Sequence, residues 1–361
     1  MPGMADLDDA RAWAARSIRA LTDDAARAEP TPLIPFPLPG SWGVSLLLKD
    51  ESAHPTRTLK HRAARALFRH AIACGRIVEG TPVFEATGGG AAVAQAYTAR
   101  LLGLPYTAVM PGEPDERRAA PVRELGGDVR FTAPPLAIYD AARRLAADSG
   151  GCFLDQFGWA ERALDHRGDD LAGELFAQAG RPDWVVAGAG TGATAASLGR
   201  HVREHGLPTR LAVVDPENSA YFPGWASGAA DYATGMPSRI EGIGRPRMEP
   251  GFLPSLIDLM IPVPDAGSVA AARAVRAATG LPVGGSTGAC LWGALHLVSR
   301  MRDAGARGGV VALIGDAGDR HLATYHDDGW AARKGLDPAP HAAAIDRFLR
   351  GGPWEPPAPR G

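Results

Sequence analysis

Cysteine is nearly absent: Cys74, Cys152 and Cys290 are the only three in 361 residues, and they lie far apart. An odd, unclustered set argues against a disulfide framework and against a tetrahedral zinc site. Each is read as a small buried hydrophobe, no metal is expected, and the expected compartment is a reducing one, the cytoplasm. Long apolar runs are also missing. The longest, such as 184–187 and 310–314, have the length of a strand and fall far short of a bilayer span. The first residues show no charged start, apolar core and small-residue cleavage site, so no secretory signal is legible. Nor is there a basic excess, because the net charge is −2. Nothing in that balance holds a nucleic acid backbone, so neither nucleic acid nor membrane is an expected partner.

What is present is the composition of a soluble globular protein, 45% hydrophobic and 22% charged, in a chain long enough for two domains. Residues 1–29 place Leu7, Ala10, Trp13, Ile18 and Leu21 at roughly helical spacing. Residues 30–40 are proline-rich and read as extended. After them the pattern alternates. Strands are expected at 44–48, 82–86, 106–110, 129–131, 184–187, 211–214 and 310–314. Helices are expected at 59–74, 91–102, 116–125, 138–149, 167–178, 194–205, 268–278 and 291–301. Pro and Gly crowd 216–247 and the tail after Pro338, which read as irregular, with the last dozen residues frayed. Strand–helix alternation over this length implies mainly parallel sheets with helices on both faces.

Four polar turns carry the chemistry. The first, Lys49 to Arg62, ends a strand and opens a helix with Lys60 in its first turn, where the helix dipole disfavours a charged amine. The second, Gly188-Ala189-Gly190-Thr191-Gly192-Ala193-Thr194, joins an apolar strand to a helix. Its backbone N–H groups can converge on an anion, and Thr191 and Thr194 can donate hydroxyl hydrogen bonds to phosphate oxygens. Such a turn also occurs in dinucleotide folds, and Asp215 after the next strand sits where a ribose-binding acid would. The third, Glu85 to Ala92, repeats strand, glycine turn and helix and suits a carboxylate. The fourth, Gly284-Gly285-Ser286-Thr287-Gly288, reads as a tight turn bearing hydroxyls.

Taken in order from about residue 31 to 325, these elements resemble the cysteine synthase/cystathionine β-synthase family of enzymes that use pyridoxal 5′-phosphate (PLP). Closer still, His54-Pro55-Thr56, Leu59-Lys60-His61-Arg62, the 213–219 and 239–247 segments and Asp316-Ala317-Gly318-Asp319-Arg320 resemble its actinobacterial cysteine desulfhydrase branch. The resemblance implies a tryptophan synthase β-like fold (fold type II) of two three-layer α/β/α domains with the cofactor in the cleft between them. Its expected parts are a helical arm over 1–30, a large PLP-binding domain over 31–80 and 165–335, a smaller mobile domain over 81–164, and a tail over 336–361. It also implies a homodimer.

By the same resemblance Lys60 falls on the Schiff-base lysine. Gly190, Thr191, Gly192, Ala193 and Thr194 fall on the phosphate loop, Ser286 on the hydroxyl facing the pyridine nitrogen, and Gly90 on a cofactor contact. Thr87, Gly88, Gly89 and Ala91, helped by Gln156, fall on the loop that grips the substrate carboxylate, and Gly242 on a segment lining the substrate side. This chain departs from the pattern in two places. Family members usually carry hydroxyl residues and an Asn or Ser where it has Gly88, Gly90 and Ala91, and a Gly-Ser pair where it has Arg57-Thr58. Arg57 is therefore expected to compensate with a charge-assisted contact to the substrate. The implied reaction is β-elimination from an amino acid, with cysteine giving pyruvate, ammonia and sulfide. The alternatives are β-replacement of the cysteine synthase kind, a non-catalytic PLP-binding homologue, and a Rossmann-type oxidoreductase.

Overall fold

The computed structural model describes residues 4–134, 137–163 and 171–357. The chain opens with α1 (Met4–Arg27), β1 (Leu33–Phe36) and β2 (Val44–Asp50). Then come α2 (Lys60–Ala73), β3 (Val83–Ala86), α3 (Gly90–Leu101), β4 (Tyr106–Pro111), α4 (Glu116–Glu124), β5 (Asp128–Thr132) and α5 (Ile138–Ser149). β6 (Cys152–Phe153), α6 (Gln156–Ala163), α7 (Leu171–Ala179), β7 (Trp184–Gly188), α8 (Ala193–Glu204) and β8 (Arg210–Pro216) follow. The last part holds α9 (Tyr221–Ser227), β9 (Leu259–Val263), α10 (Asp265–Thr279), α11 (Gly285–Asp303), β10 (Gly308–Ile314), α12 (Asp328–Arg333) and α13 (Ala339–Leu349). The helix expected from residue 167 is seen from Leu171 onward, its first four residues lying outside the described ones.

The chain divides into two compact units, one of residues 1–30 and 54–169, the other of 31–53 and 170–361. The helix carrying Lys60 thus belongs to the smaller unit, not to the larger one as the boundary expected near residue 80 had it. The reason is its apolar face. Leu67, Phe68, Ala71 and Ile72 of α2 share one core with Val83, Tyr106 and Ala108 of the sheet and with Trp13 and Leu21 of α1. Asp24 of α1 fastens the same group, accepting hydrogen bonds from Arg65 (3.2 Å) and Tyr97 (2.8 Å). The expected N-terminal arm is therefore an integral layer of this unit.

The smaller unit is built on a four-stranded parallel sheet in the order β5-β4-β3-β6. Side chains alternate across it. Val83, Ala108 and Met110 face the core just described, whereas Ala86 and Val109 meet Ile138 and Ala142 of α5 on the other side. The larger unit has a six-stranded sheet in the order β1-β2-β10-β7-β8-β9, parallel except where β1 pairs with β2. Val186, Val214 and Ala312 pack on α10, α11 and α13, while Val185, Val213 and Val311 pack toward α7, α8 and α9. Both units are therefore three-layer α/β/α bodies, as expected.

Several elements differ from the sequence reading, each for a physical reason. Residues 33–36 are a strand despite Pro35, because β1 lies at the edge of its sheet and the missing N–H is not needed there. β6 and β9 escaped notice because the first is two residues long and the second carries Pro262. α6 and α9 contain glycine or proline within one or two turns and show little periodicity. The tail is the largest correction. It forms α13, whose His341, Ala344, Ile345 and Phe348 are buried at helical spacing, and Trp354 beyond it packs edge-on against Trp292 (4.9 Å) and Phe348 (5.3 Å). Phe348 is wholly buried and its ring also lies 4.7 Å from Trp42. Phe348→Ala is expected to cost about 3–5 kcal/mol, read as a lowered denaturation midpoint of the larger unit.

Candidate active site

In the smaller unit Lys60 is the first residue of α2, half-buried, behind Leu59, whose side chain makes no capping bond. Thr58 Oγ1 accepts from the Lys60 backbone N–H at 3.3 Å. Arg57 has φ of 60°, a left-handed conformation rare outside glycine, and its side chain is exposed. Beside Lys60, His61 is buried, meets Thr56 Oγ1 at 3.2 Å and stacks on His54 at 4.9 Å. Burial and the neighbouring His54 push its pKa down to about 3, so it stays neutral.

The Thr87–Ala91 loop leaves β3 and enters α3 in this same unit. Thr87 is buried and held by its backbone N–H on Val109 (3.0 Å). The start of α3 has no side-chain cap, which leaves first-turn N–H groups for a ligand or water. Gly90 is pressed against Thr58: a Cβ there would lie 2.8 Å from Thr58 Oγ1 and 3.1 Å from its Cβ. The two departures from the family pattern, at 58 and at 90, are thus one packing contact. At Gly88 a Cβ would stand 2.5 Å from Arg118 Nη2. Gln156 donates from Nε2 to the carbonyl of Ala86, the residue before the loop (3.4 Å).

Glu85, just before the loop, was not singled out by sequence. It is fully buried and accepts from the backbone N–H of Gln156 (3.0 Å), from that of Ala86 (2.8 Å) and from Gln95 Nε2 (3.3 Å), with Tyr106 completing the network on Gln95 (2.9 Å). Burial outweighs these three donors and raises its pKa to about 8. A carboxyl whose folded pKa lies above its unfolded value of 4.5 contributes stability that is full below that value and is lost as pH rises to about 8. Glu85→Gln, a neutral stand-in for the protonated acid, is expected to flatten the fall in thermal stability between those two pH values, so that its melting temperature gains on wild type toward pH 8.

In the larger unit, Gly188–Thr194 links β7 to α8. Gly190 lies against the carbonyl of Gly242, and Gly192, at φ 84°, against the backbone of Gly251 and Phe252, with no room for a Cβ at either. Tyr221 fixes the loop through its hydroxyl on the Gly190 carbonyl (2.6 Å), and Gly244 N–H donates to the Ala189 carbonyl (2.8 Å). α8 begins at Ala193 behind Gly192, which offers no side-chain cap, although Thr191 Oγ1 accepts from Ala193 N–H at 3.4 Å. Thr191 and Ala193 are buried and Thr194 half-buried. A tight backbone cradle with hydroxyls at an uncapped helix N-terminus fits the phosphate of PLP. Gly242, exposed at φ 88°, sits on a turn held by Tyr325, whose oxygen accepts from Glu241 N–H at 2.8 Å.

Ser286 does not lie on a free turn, as its glycines suggested. It is in the first turn of α11, which starts at Gly285. Glycine is tolerated inside this helix because Gly288 meets the backbone of Ser268 and Ala272 on α10, where a side chain would not fit. Half-buried Ser286 presents a hydroxyl, the donor-acceptor suited to a pyridine nitrogen. Two residues before it, Gly284 lies against Asp316. Arg320 (2.6 Å) and His321 (2.9 Å) bind that carboxylate and bring its pKa down to about 2 against the effect of burial. Asp215 is buried and accepts from Phe222 N–H at 2.7 Å, so it serves the start of α9 and not a ribose. That removes the support for the dinucleotide reading. Among the described residues no three His, Cys, Asp or Glu side chains gather as a metal site.

Two three-layer α/β/α bodies with mainly parallel sheets are the framework of a fold type II PLP enzyme. The comparisons with known proteins agree. Residues 26–316 match the model of the pyridoxal-phosphate dependent enzyme family, and the chain belongs to it. It is 47% identical over 354 residues to the L-cysteine desulfhydrase Cds1 of Mycobacterium tuberculosis, covering 95% of this chain and 96% of that one. It is 28% identical to cysteine synthase B of Escherichia coli, covering 81% of this chain and 92% of that protein. Its fold is shared with the crystal structure of O-ureido-L-serine synthase, at a TM-score of 0.74, 24% identity, and 86% and 98% of the two chains.

Proposed function

We propose that this enzyme is a PLP-dependent L-cysteine desulfhydrase, converting cysteine and water to pyruvate, ammonia and sulfide. The observation that carries this reading is the near-complete match, at 47% identity, to a protein of that name. Bound PLP supplies an electron-accepting ring that takes up the charge left at the α-carbon of an amino acid.

In this reading the Lys60 amine carries the cofactor in the resting enzyme. The same amine would act as the general base at the α-proton of the amino acid. The Gly190–Thr194 N–H groups and the Thr191 and Thr194 hydroxyls hold the phosphate, and Ser286 hydrogen-bonds the pyridine nitrogen without protonating it. Thr87, Gly88, Gly89, Gly90 and Ala91 hold the substrate carboxylate with the help of Gln156, and Gly242 lines the substrate side. Glu85 positions Gln156 by accepting its backbone N–H. Assembly as a homodimer and a cytoplasmic location belong to the same reading; no helix among the described residues is long and apolar enough to cross a membrane.

β-Replacement is the second reading, supported by the match to cysteine synthase B and by the altered loop. The experiment is to supply purified, PLP-loaded enzyme with cysteine, O-acetylserine and O-phosphoserine, each with and without sulfide. Pyruvate and sulfide from cysteine alone are expected. New cysteine from O-acetylserine or O-phosphoserine plus sulfide, with no pyruvate from cysteine, would overturn desulfhydration in favour of replacement.

A further inference from the structure

Arg118 is placed at the substrate loop by the fold, yet none of the roles above uses it. It lies in the first turn of α4, half-buried, with its guanidinium over Gly88. Nη1 donates to the Pro111 carbonyl at 2.9 Å, and Nε and Nη2 both reach the Gly88 carbonyl at 3.4 Å. The Phe131 ring lies 5.7 Å from its Cζ. Among the described residues no carboxylate is bonded to it, because the adjacent Arg117 takes Asp115 at 3.0 Å. A guanidinium held only by carbonyl oxygens lacks a counter-ion, and partial burial makes one worth more than it would be in water. These bonds leave one hydrogen on each terminal nitrogen, and a carboxylate takes two parallel N–H bonds of that kind.

The glycine at 88 is the other half of the arrangement. A Cβ there would come within 2.5 Å of Nη2 and 3.0 Å of Pro111 Cδ, so the guanidinium occupies the space that a side chain would take. A side chain at 88 would push the end of Arg118 away from its present place.

We propose that Arg118 is a specificity-determining residue that recognises the substrate's carboxylate at the Thr87–Ala91 loop, with a charge replacing the donors that positions 88 and 91 lack. This deepens the functional reading above and rests on its assignment of that loop. It confines the ligand to free α-amino acids and excludes their amines, esters and amides.

The test is equilibrium binding to the PLP-loaded protein, followed by visible absorbance, of unreactive L-alanine and of ethylamine, the same molecule without the carboxylate. Arg118→Gln is expected to weaken alanine about 10–100-fold and to leave ethylamine within twofold, with Arg118→Lys recovering part of the loss. Gly88→Ser keeps the arginine but pushes it aside, and is expected to give a similar loss that the double variant does not deepen. In turnover, KM rises more than kcat falls. Equal weakening of alanine and ethylamine would make Arg118 a support of the loop only and overturn the proposal. So would unchanged alanine binding in both variants, or a loss produced by Arg57→Gly in their place. A wild-type enzyme that binds PLP but gives no response to any amino acid would instead overturn the reading of the loop, and this inference with it.

Discussion

Lys60→Ala is expected to yield a folded protein that borohydride cannot fix to PLP and that turns over cysteine about 10³-fold or more slowly than wild type. The size follows from two losses at one atom. In the proposed mechanism the amine would both anchor the cofactor and act as the base at the α-proton. The fold should survive, because Lys60 is a half-buried first residue of α2, and the core of that helix starts further along at Ala64, Leu67 and Phe68. Removing a lysine from a helix N-terminus also relieves an unfavourable charge–dipole contact. Retained circular dichroism with lost visible absorbance and lost borohydride labelling is the expected signature. Unaltered labelling on another side chain would refute the assignment.

Gly192→Ala is expected to abolish tight cofactor binding. At φ 84° any L-residue is strained, at a cost of roughly 1–2 kcal/mol. The added methyl would also run into the Gly251 carbonyl and Phe252 Cα, which are backbone and cannot rotate away. The cradle must therefore open, and its N–H groups leave the phosphate. The measurement is the rise in melting temperature that PLP produces in wild type, which should vanish in the variant. Gly206→Ala is the matched control. It has a similar positive φ, 56°, but open space around the new methyl, so it bears the strain alone and should keep the PLP response.

Much of this was legible in the residues. Parallel α/β architecture follows from short apolar runs alternating with helical patterns, because buried parallel strands are largely apolar, as Trp184–Gly188 and Gly308–Ile314 are throughout. The glycine loops announced themselves because close backbone approach tolerates nothing else. What stayed hidden depended on tertiary contacts. Ser286 looked like part of a turn since Gly284, Gly285 and Gly288 are poor helix formers, and only the proximity of α10 explains Gly288. Lys60 was assigned to the wrong body because the boundary is set by where the other face of α2 packs, which local spacing does not reveal. Arg57 drew attention by its place in a motif, while Arg118, thirty residues beyond Gly88, reaches the loop only through the β4–α4 connection. Glu85 gave no signal, since its neighbours Gln95, Tyr106 and Gln156 converge on it from three separate segments.

The contact between Thr58 and Gly90 bears on how such a loop could change over generations. A side chain at 90 is not accommodated in one step, because its Cβ would meet Thr58 Oγ1 at 2.8 Å. Position 58 has to shrink first, and a small residue there leaves a gap until position 90 fills it. Substitutions at the two sites are therefore ordered, with a less fit intermediate on one route and a sterically closed one on the other. A lineage that has reached this pair tends to keep it, and its divergence from relatives at the substrate loop becomes hard to reverse.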